Sequence, residues 1–392
     1  MPPTLTYCTN LLPAESAVEV LGVLGRLAMP LRTRLSLSEL PIGLYLSDAA
    51  TRDLSDPRAL ELFESRLAEM RVRIVTLNAF PFGGFHNSIV KENVFRPTWG
   101  EPPRREYTER AARLLARWIP RGSVGSVSTH TGSHKSFGVD AESDDRFSRA
   151  WIRTAIEMAR LEEETGRRIV VSIEPEPHSR LETTKEVVHF FERLWLAPLR
   201  RAAAEWSVNP SWLEAKVRRH IGVCFDVCHQ AVEFEDCVAA LARLRAAGIP
   251  IGKIQASVAP ALAEPAARPQ ALAELESFAE PRWLHQSFCR NRSGEIESRR
   301  DLPEALSDLA FLERAEELRT HFHIPVFLTS TGALATTREE LERVLASCGP
   351  VTDCVEIETY TMAAVPGFRG GDDAMIEVMA REWSFAAGLL GA

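Results

Sequence analysis

Two stretches decide the fold: RIVVSIEPEPH (168–178) and IGVCFDVCHQ (221–230). Each starts as a run of β-prone apolar residues and then turns polar, reaching Glu174, Glu176 and His178 in the first and Asp226 and His229 in the second. A charge placed directly after buried strand residues is costly unless it is paired or coordinated. Strands that end in such groups are how (β/α)₈ barrels build sites at their C-terminal face. Working outward, the same kind of run recurs at LTYCTN (5–10), IGLYLS (42–47), RIVTLNAF (73–80), GSVSTHT (125–131), GKIQAS (252–257), IPVFLTS (324–330) and DCVEIET (353–359). Between the runs, apolar residues recur at three- and four-residue spacing, the helix period, over 56–70, 104–119, 147–166, 184–206, 235–248, 303–322 and 337–349. Repeated strand–helix alternation predicts a parallel sheet covered by helices.

The expectation is an α/β chain folded as one (β/α)₈ TIM barrel over residues 1–392. Nine strand candidates are one more than a barrel holds, so one extra strand or hairpin lies outside it. A doubly wound open sheet is the alternative, but no Gly-rich phosphate-binding turn follows the first strand. Long loop insertions are expected near 81–104, rich in Phe, Gly, Pro and Trp, and near 258–300. Within the latter, 258–282 is Ala/Pro-rich and reads as a loop with a short helix. The 45% hydrophobic and 26% charged composition is that of a globular chain. A net charge of −8 argues against a nucleic-acid partner. The first residues lack the basic-then-apolar order of a signal peptide, and no run approaches the roughly 18 apolar residues that span a bilayer. The seven scattered cysteines suit reduced thiols. These features together predict a cytoplasmic protein without membrane insertion.

Strand-end acids on several strands would aim oxygen ligands at one centre, suiting a divalent metal ion, Mg or Mn; a histidine would shift the choice toward Zn, Co or Mn. Alternation leaves Glu356 competing with Glu358, and Glu176 with Glu174, because each pair shares a face. His321 and His323 also share a face and could supply a nitrogen ligand. Asn78, Phe80 and His86 could line the substrate mouth, with His285 and Gln286 on an insertion nearby. Lys91 and Arg96 are read as exposed by default, or as a grip for an anionic group. Cys224 and Cys228 are read as packed thiols rather than a zinc site.

The order Glu, Asp-x-x-His, Gln, Glu on four late strands resembles the xylose-isomerase-like barrel superfamily of sugar isomerases and epimerases. That resemblance implies metal ligands at Glu174, Asp226, Gln255 and Glu358. It further implies Glu174 and Glu358 as the catalytic pair that moves a proton through a metal-stabilised enediolate. His229, His178, His323, His285, Asn78 and His86 are then expected to contact substrate, with Arg180 among the residues tuning the acids. More specifically, YCTN (7–10), TLNAFPFGGFH (76–86), FDVCHQAVEFED (225–236), WLHQS (283–287), HFHIPVF (321–327) and EIETYT (356–361) resemble the EboE family of bacterial metabolite traffic proteins. LLPAES (11–16) and THTGSHK (129–135) depart from that pattern. The resemblance implies a metal-dependent isomerase or epimerase acting on a sugar, sugar phosphate or cyclitol, with cluster-encoded protein partners. Two other readings are a non-catalytic metabolite-binding protein on the same barrel and a nuclease, which the acidic charge disfavours.

Overall fold

The computed structural model describes residues 2–86, 88–138, 140–194, 197–349 and 351–391. Seven strands come first: β1 Thr4–Cys8, β2 Leu40–Tyr45, β3 Val72–Asn78, β4 Val124–His130, β5 Arg168–Glu174, β6 Ile221–Asp226 and β7 Ile251–Ala256. Six short strands follow: β8 Pro260–Ala263, β9 Ser287–Asn291, β10 Ile296–Arg299, β11 Ala315–Thr320, β12 Ser330–Thr331 and β13 Leu334–Thr336. The last strand is β14, Cys354–Ile357. Strands β1–β7 and β14 close into a parallel barrel, with β14 seated between β1 and β7. The other six form a separate sheet in the order β10-β9-β11-β8-β13-β12, and every pairing in it is antiparallel.

The local chemistry explains the alternation. Helices start where a polar side chain caps them: Ser16 with Glu19 closes a capping box, and Asp56 accepts from the Arg58 and Ala59 amides before Pro57–Met70. They stop at left-handed residues such as Arg71 and Gly166. Eight of the nine strand candidates are the barrel strands. The ninth, IPVFLTS, is not one. Ile324, Pro325 and Val326 are buried but strandless, and the stretch reaches a strand only at Ser330, the start of β12: Ile324 makes a single bridge to Val258, and the Val326 amide donates to the Glu382 side chain instead of a neighbouring strand. Three further expectations need correction. The extra element is a six-stranded sheet rather than one strand or hairpin, and it extends past residue 300 to Thr336. The 258–282 segment contains β8 as well as a helix, Pro269–Glu276. The single helix read over 303–322 is two short helices, Leu302–Ser307 and Leu309–Arg314, followed by β11. The 184–206 helix is described as Thr184–Leu194 and Ala197–Glu205, with Trp195 and Leu196 outside the described residues.

The barrel interior is polar across its middle. Lys253 and Glu356, both fully buried, form an ion pair there, and Ser126 and Ser172 hydrogen-bond at 2.8 Å. Burial opposes the charge on Lys253 and is the largest single effect, but Glu356 together with Cys224, Cys8 and Glu174 outweighs it, and the ammonium pKa lies above its ordinary value. Gly43 makes room for this pair, since a Cβ there would stand 1.5 Å from Glu356 Oε1. All seven cysteines are buried and unpaired. No helix among the described residues is long and apolar enough to cross a membrane.

Outside the barrel, the C-terminal helix Asp372–Leu390 buries Glu382 against β1 and the turn after β14. Its carboxylate accepts from the Tyr7 hydroxyl, from Thr359 Oγ1 at 2.7 Å and from the Val326 amide at 3.1 Å. Burial outweighs these bonds and pushes its pKa from 4.5 up to about 7. Below pH 4.5 the group is protonated in both the folded and unfolded states. Between 4.5 and 7 the unfolded chain releases a proton that the folded chain keeps. Glu382 therefore costs stability as pH rises through that window, by on the order of 3 kcal/mol, and no further above it. Urea unfolding of wild type and Glu382→Gln at pH 5 and pH 7.5 should show the variant gaining relative to wild type at the higher pH. Parallel profiles would contradict this account.

Candidate metal centre and substrate cleft

Three strand ends deliver carboxylates to one point. Glu174 is the last residue of β5, Asp226 the last of β6, and Glu358 follows β14. All three are buried, and they offer ligand oxygens that lie within 4.8 Å of one another. None of the three has a Lys or Arg partner among the described residues. Asp226 also caps the helix Val227–Val232: its Oδ1 accepts from the His229 amide at 2.9 Å and from Ser257 Oγ at 2.7 Å. Its Oδ2 has no hydrogen-bond partner among the described residues, and the same holds for Glu174 Oε2. Glu358 Oε1 accepts from the Asn10 and Asn78 amides, each at 2.9 Å. Burial, reinforced by the charge of the other acids, raises Glu174 and Glu358 well above the ordinary carboxylate range. Clustered buried acids with orphaned oxygens suit a divalent cation, which would satisfy the oxygens and neutralise the charge.

Gln255 is fully buried on β7, in register with Asp226 on one side and Glu356 on the other. Its Oε1 accepts from the Cys224 thiol at 3.1 Å, and its Nε2 has no partner among the described residues. Glu356 is committed to Lys253 beneath the centre, whereas Glu358 faces the cleft. Glu176 lines the cleft too, beside Gln286 Nε2 at 3.4 Å, and burial pushes its pKa up to about 8.

The cleft above the carboxylates is walled by Asn10, Phe80, Phe85, Trp283, Tyr360 and Lys91, with His229 and His321 on one side. Two insertions meet over it. The Val90 and Lys91 amides donate to the Arg282 carbonyl at 2.7 and 2.9 Å, and Trp283 Nε1 donates to the Phe85 carbonyl at 2.9 Å. Lys91 pairs with Asp301 at 2.6 Å. The rings of Phe85, Trp283 and Tyr360 pack on one another with centroids 5.2–5.6 Å apart, giving the cleft an apolar aromatic wall.

The expected substrate contacts divide. Asn78 and His229 line the cleft, although the Asn78 amide is already spent on Glu358. His323 sits behind them, with Nδ1 bonded to the Glu358 carbonyl at 2.8 Å and its ring against Tyr360. His86 is bonded to the Asn10 carbonyl at 2.6 Å beneath Trp283. His285 bonds the His321 carbonyl at 3.1 Å and lies against Phe322. His178 packs against His134 and Phe288, and Arg180 is held by Asp144, so neither lines the cleft. Arg96 stacks over Phe137 and does not reach it either. Asn10, which lines the cleft and bonds Glu358, was not among the expected site residues. The only signal for it was its place at the end of YCTN, immediately past β1.

No family model matches the chain, and no curated protein does. Among solved structures it is similar to a xylose isomerase-like TIM-barrel protein from Mycobacterium smegmatis in complex with magnesium. The identity is 12% over 100% of this chain and 97% of the other, with a TM-score of 0.49. Two more are IOLI protein with a bound zinc atom (10% identity, 99% and 98% covered, TM-score 0.49) and the probable 3-DHS dehydratase AsbF from Bacillus anthracis (12%, 96% and 97%, 0.46). At such identities the likeness describes the fold alone.

Proposed function

We propose that this chain is a metal-dependent isomerase or epimerase acting on a sugar, sugar phosphate or cyclitol. The observation that carries the reading is the convergence of Glu174, Asp226 and Glu358 at the open end of the barrel, all buried, with orphaned oxygens on Glu174 and Asp226. These three residues, with Gln255 through its amide, would hold one divalent ion: Mn, Mg, Co or Zn. When bound, such an ion supplies positive charge opposite the oxygens on which negative charge develops as a carbon next to a carbonyl loses its proton. The chain's own residues move that proton. Glu174 and Glu358 both line the cleft and, as carboxylates, are suited to take it from one carbon and return it to the same or a neighbouring carbon. Asn10 and Asn78 hold one oxygen of Glu358 and leave the other for the reaction. Phe85, Trp283 and Tyr360 would give a bound substrate an apolar wall.

The EboE-type motifs add a setting: a bacterial small-molecule cluster with protein partners encoded beside this chain. They also supply the alternative, a carrier that binds a metabolite without chemistry. The bond from the Cys224 thiol to Gln255 Oε1 favours that alternative, because it occupies an oxygen the metal would need. Metal content decides first. Mass spectrometry on protein purified without chelators or affinity-metal columns should find bound divalent metal, with the carboxylate-site equivalent lost in Glu174→Ala and Asp226→Ala. A chain that binds none of Mn, Mg, Co or Zn even after addition leaves only the carrier.

A further inference from the structure

Three imidazoles converge beside the carboxylates in an arrangement that the carboxylate centre does not use. His229 lies on the helix that Asp226 caps, while His321 and His323 lie in the segment leaving β11. Each Nδ1 meets an acceptor with no proton to give. For His229 it is the Pro175 carbonyl at 2.9 Å, for His321 it is Gln286 Oε1 at 2.7 Å, and for His323 the Glu358 carbonyl at 2.8 Å. The Gln286 amide is fixed in turn, because its Nε2 donates to the Pro177 carbonyl at 2.9 Å. Each Nδ1 therefore carries the hydrogen, and each Nε2 keeps its lone pair.

Those lone pairs face one another. His321 Nε2 is 3.1 Å from His229 Nε2 and 3.3 Å from His323 Nε2. With no proton between them, both contacts are repulsive. One extra proton would relieve one contact and leave the other, whereas a cation at the centre relieves both. The spacing agrees: tetrahedral zinc bonded to nitrogen at 2.0–2.1 Å sets its ligand atoms about 3.3 Å apart. A fourth corner is at hand in Asp226 Oδ2, which lacks a hydrogen-bond partner among the described residues and stands 4.0 Å from His323 Nε2. Asp226, His229 and His323 offer ligand atoms all within 4.8 Å of one another. Rings whose far nitrogens are held by carbonyl-type acceptors are already oriented as metal-binding histidines are.

We propose that His229, His321, His323 and Asp226 form a second, nitrogen-rich cation site of the zinc type, with Asp226 shared between it and the carboxylate centre. The two sites differ in donor chemistry. Oxygen-only ligation favours Mg²⁺ or Mn²⁺, and imidazole favours Zn²⁺ or Co²⁺. His229 and His321 line the cleft, so a ligand oxygen has access to this second ion. The site stands on its own geometry and does not depend on the isomerase reading.

The test is Co²⁺ titration of metal-stripped protein by equilibrium dialysis, with the visible spectrum recorded alongside. Wild type should take up two equivalents per chain and develop the strong absorption of four-coordinate Co²⁺. His321→Ala should drop to one equivalent and lose that absorption. Glu174→Ala should lose the other equivalent and keep it. His323→Asn serves as the second variant if circular dichroism shows His321→Ala unfolded. Wild type binding one equivalent with the strong band, abolished in His321→Ala, would still support the histidine site while removing the carboxylate one. Binding of no Co²⁺, or of one equivalent with weak absorption unchanged by the histidine variants, would overturn the proposal.

Discussion

Replacing Lys253 with methionine should lower the unfolding free energy by about 3–5 kcal/mol, the cost of leaving a buried charge unpaired. Lys253 and Glu356 are both fully buried, and Glu356 Oε1 already has no hydrogen-bond partner among the described residues. Removing the ammonium would strand the whole carboxylate inside the barrel. Truncation alone is not the cause, since methionine keeps most of the side-chain volume. The double variant Lys253→Met/Glu356→Leu should recover most of the loss, because a buried ion pair replaced by apolar groups of similar size is often neutral. Urea unfolding followed by circular dichroism measures both. A single variant within about 1 kcal/mol of wild type would mean that Glu356 is not held as an ion there.

Glu174→Gln and Glu358→Gln should each slow proton exchange at the carbon next to a substrate carbonyl by roughly 10²–10⁴-fold, the usual worth of a positioned acid or base. Exchange is the suitable readout because it needs no knowledge of the product's stereochemistry. Ketoses and ketose phosphates incubated in D₂O with metal-loaded wild type should take up deuterium, observed by proton NMR, and the two variants should not. The amide is nearly isosteric with the acid, so thermal unfolding of the variants should show the fold retained. Turnover equal to wild type in either variant would refute the role assigned to that residue.

The barrel was legible in the sequence because parallel strands buried on both faces read as near-continuous apolar runs, and eight of them stand out. The inserted sheet was not. Its strands run from two to six residues, and AEELRT (315–320) continues the amphipathic pattern of LAFLER (309–314) so smoothly that periodicity sees one helix. IPVFLTS misled in the opposite sense: β-branched residues drew a strand where the backbone turns off to meet Glu382. At the site, strand-end position picked out Glu174, Asp226 and Glu358, and nearness to the carboxyl end separated Glu358 from Glu356. His229, His321 and His323 were each read as candidates for the site, but their direct Nε2 contacts were not, because His321 and His323 are placed by the inserted sheet that periodicity did not reveal.

The plug of Lys253, Glu356, Ser126 and Ser172 across the barrel's waist gives the cleft a blind end. At its other end, among the described residues, the cleft lies under the arch where the Arg282 carbonyl meets Val90 and Lys91. With the waist plugged, a ligand that entered under the arch would leave by the path its successor takes, so the chamber would be emptied before it is refilled.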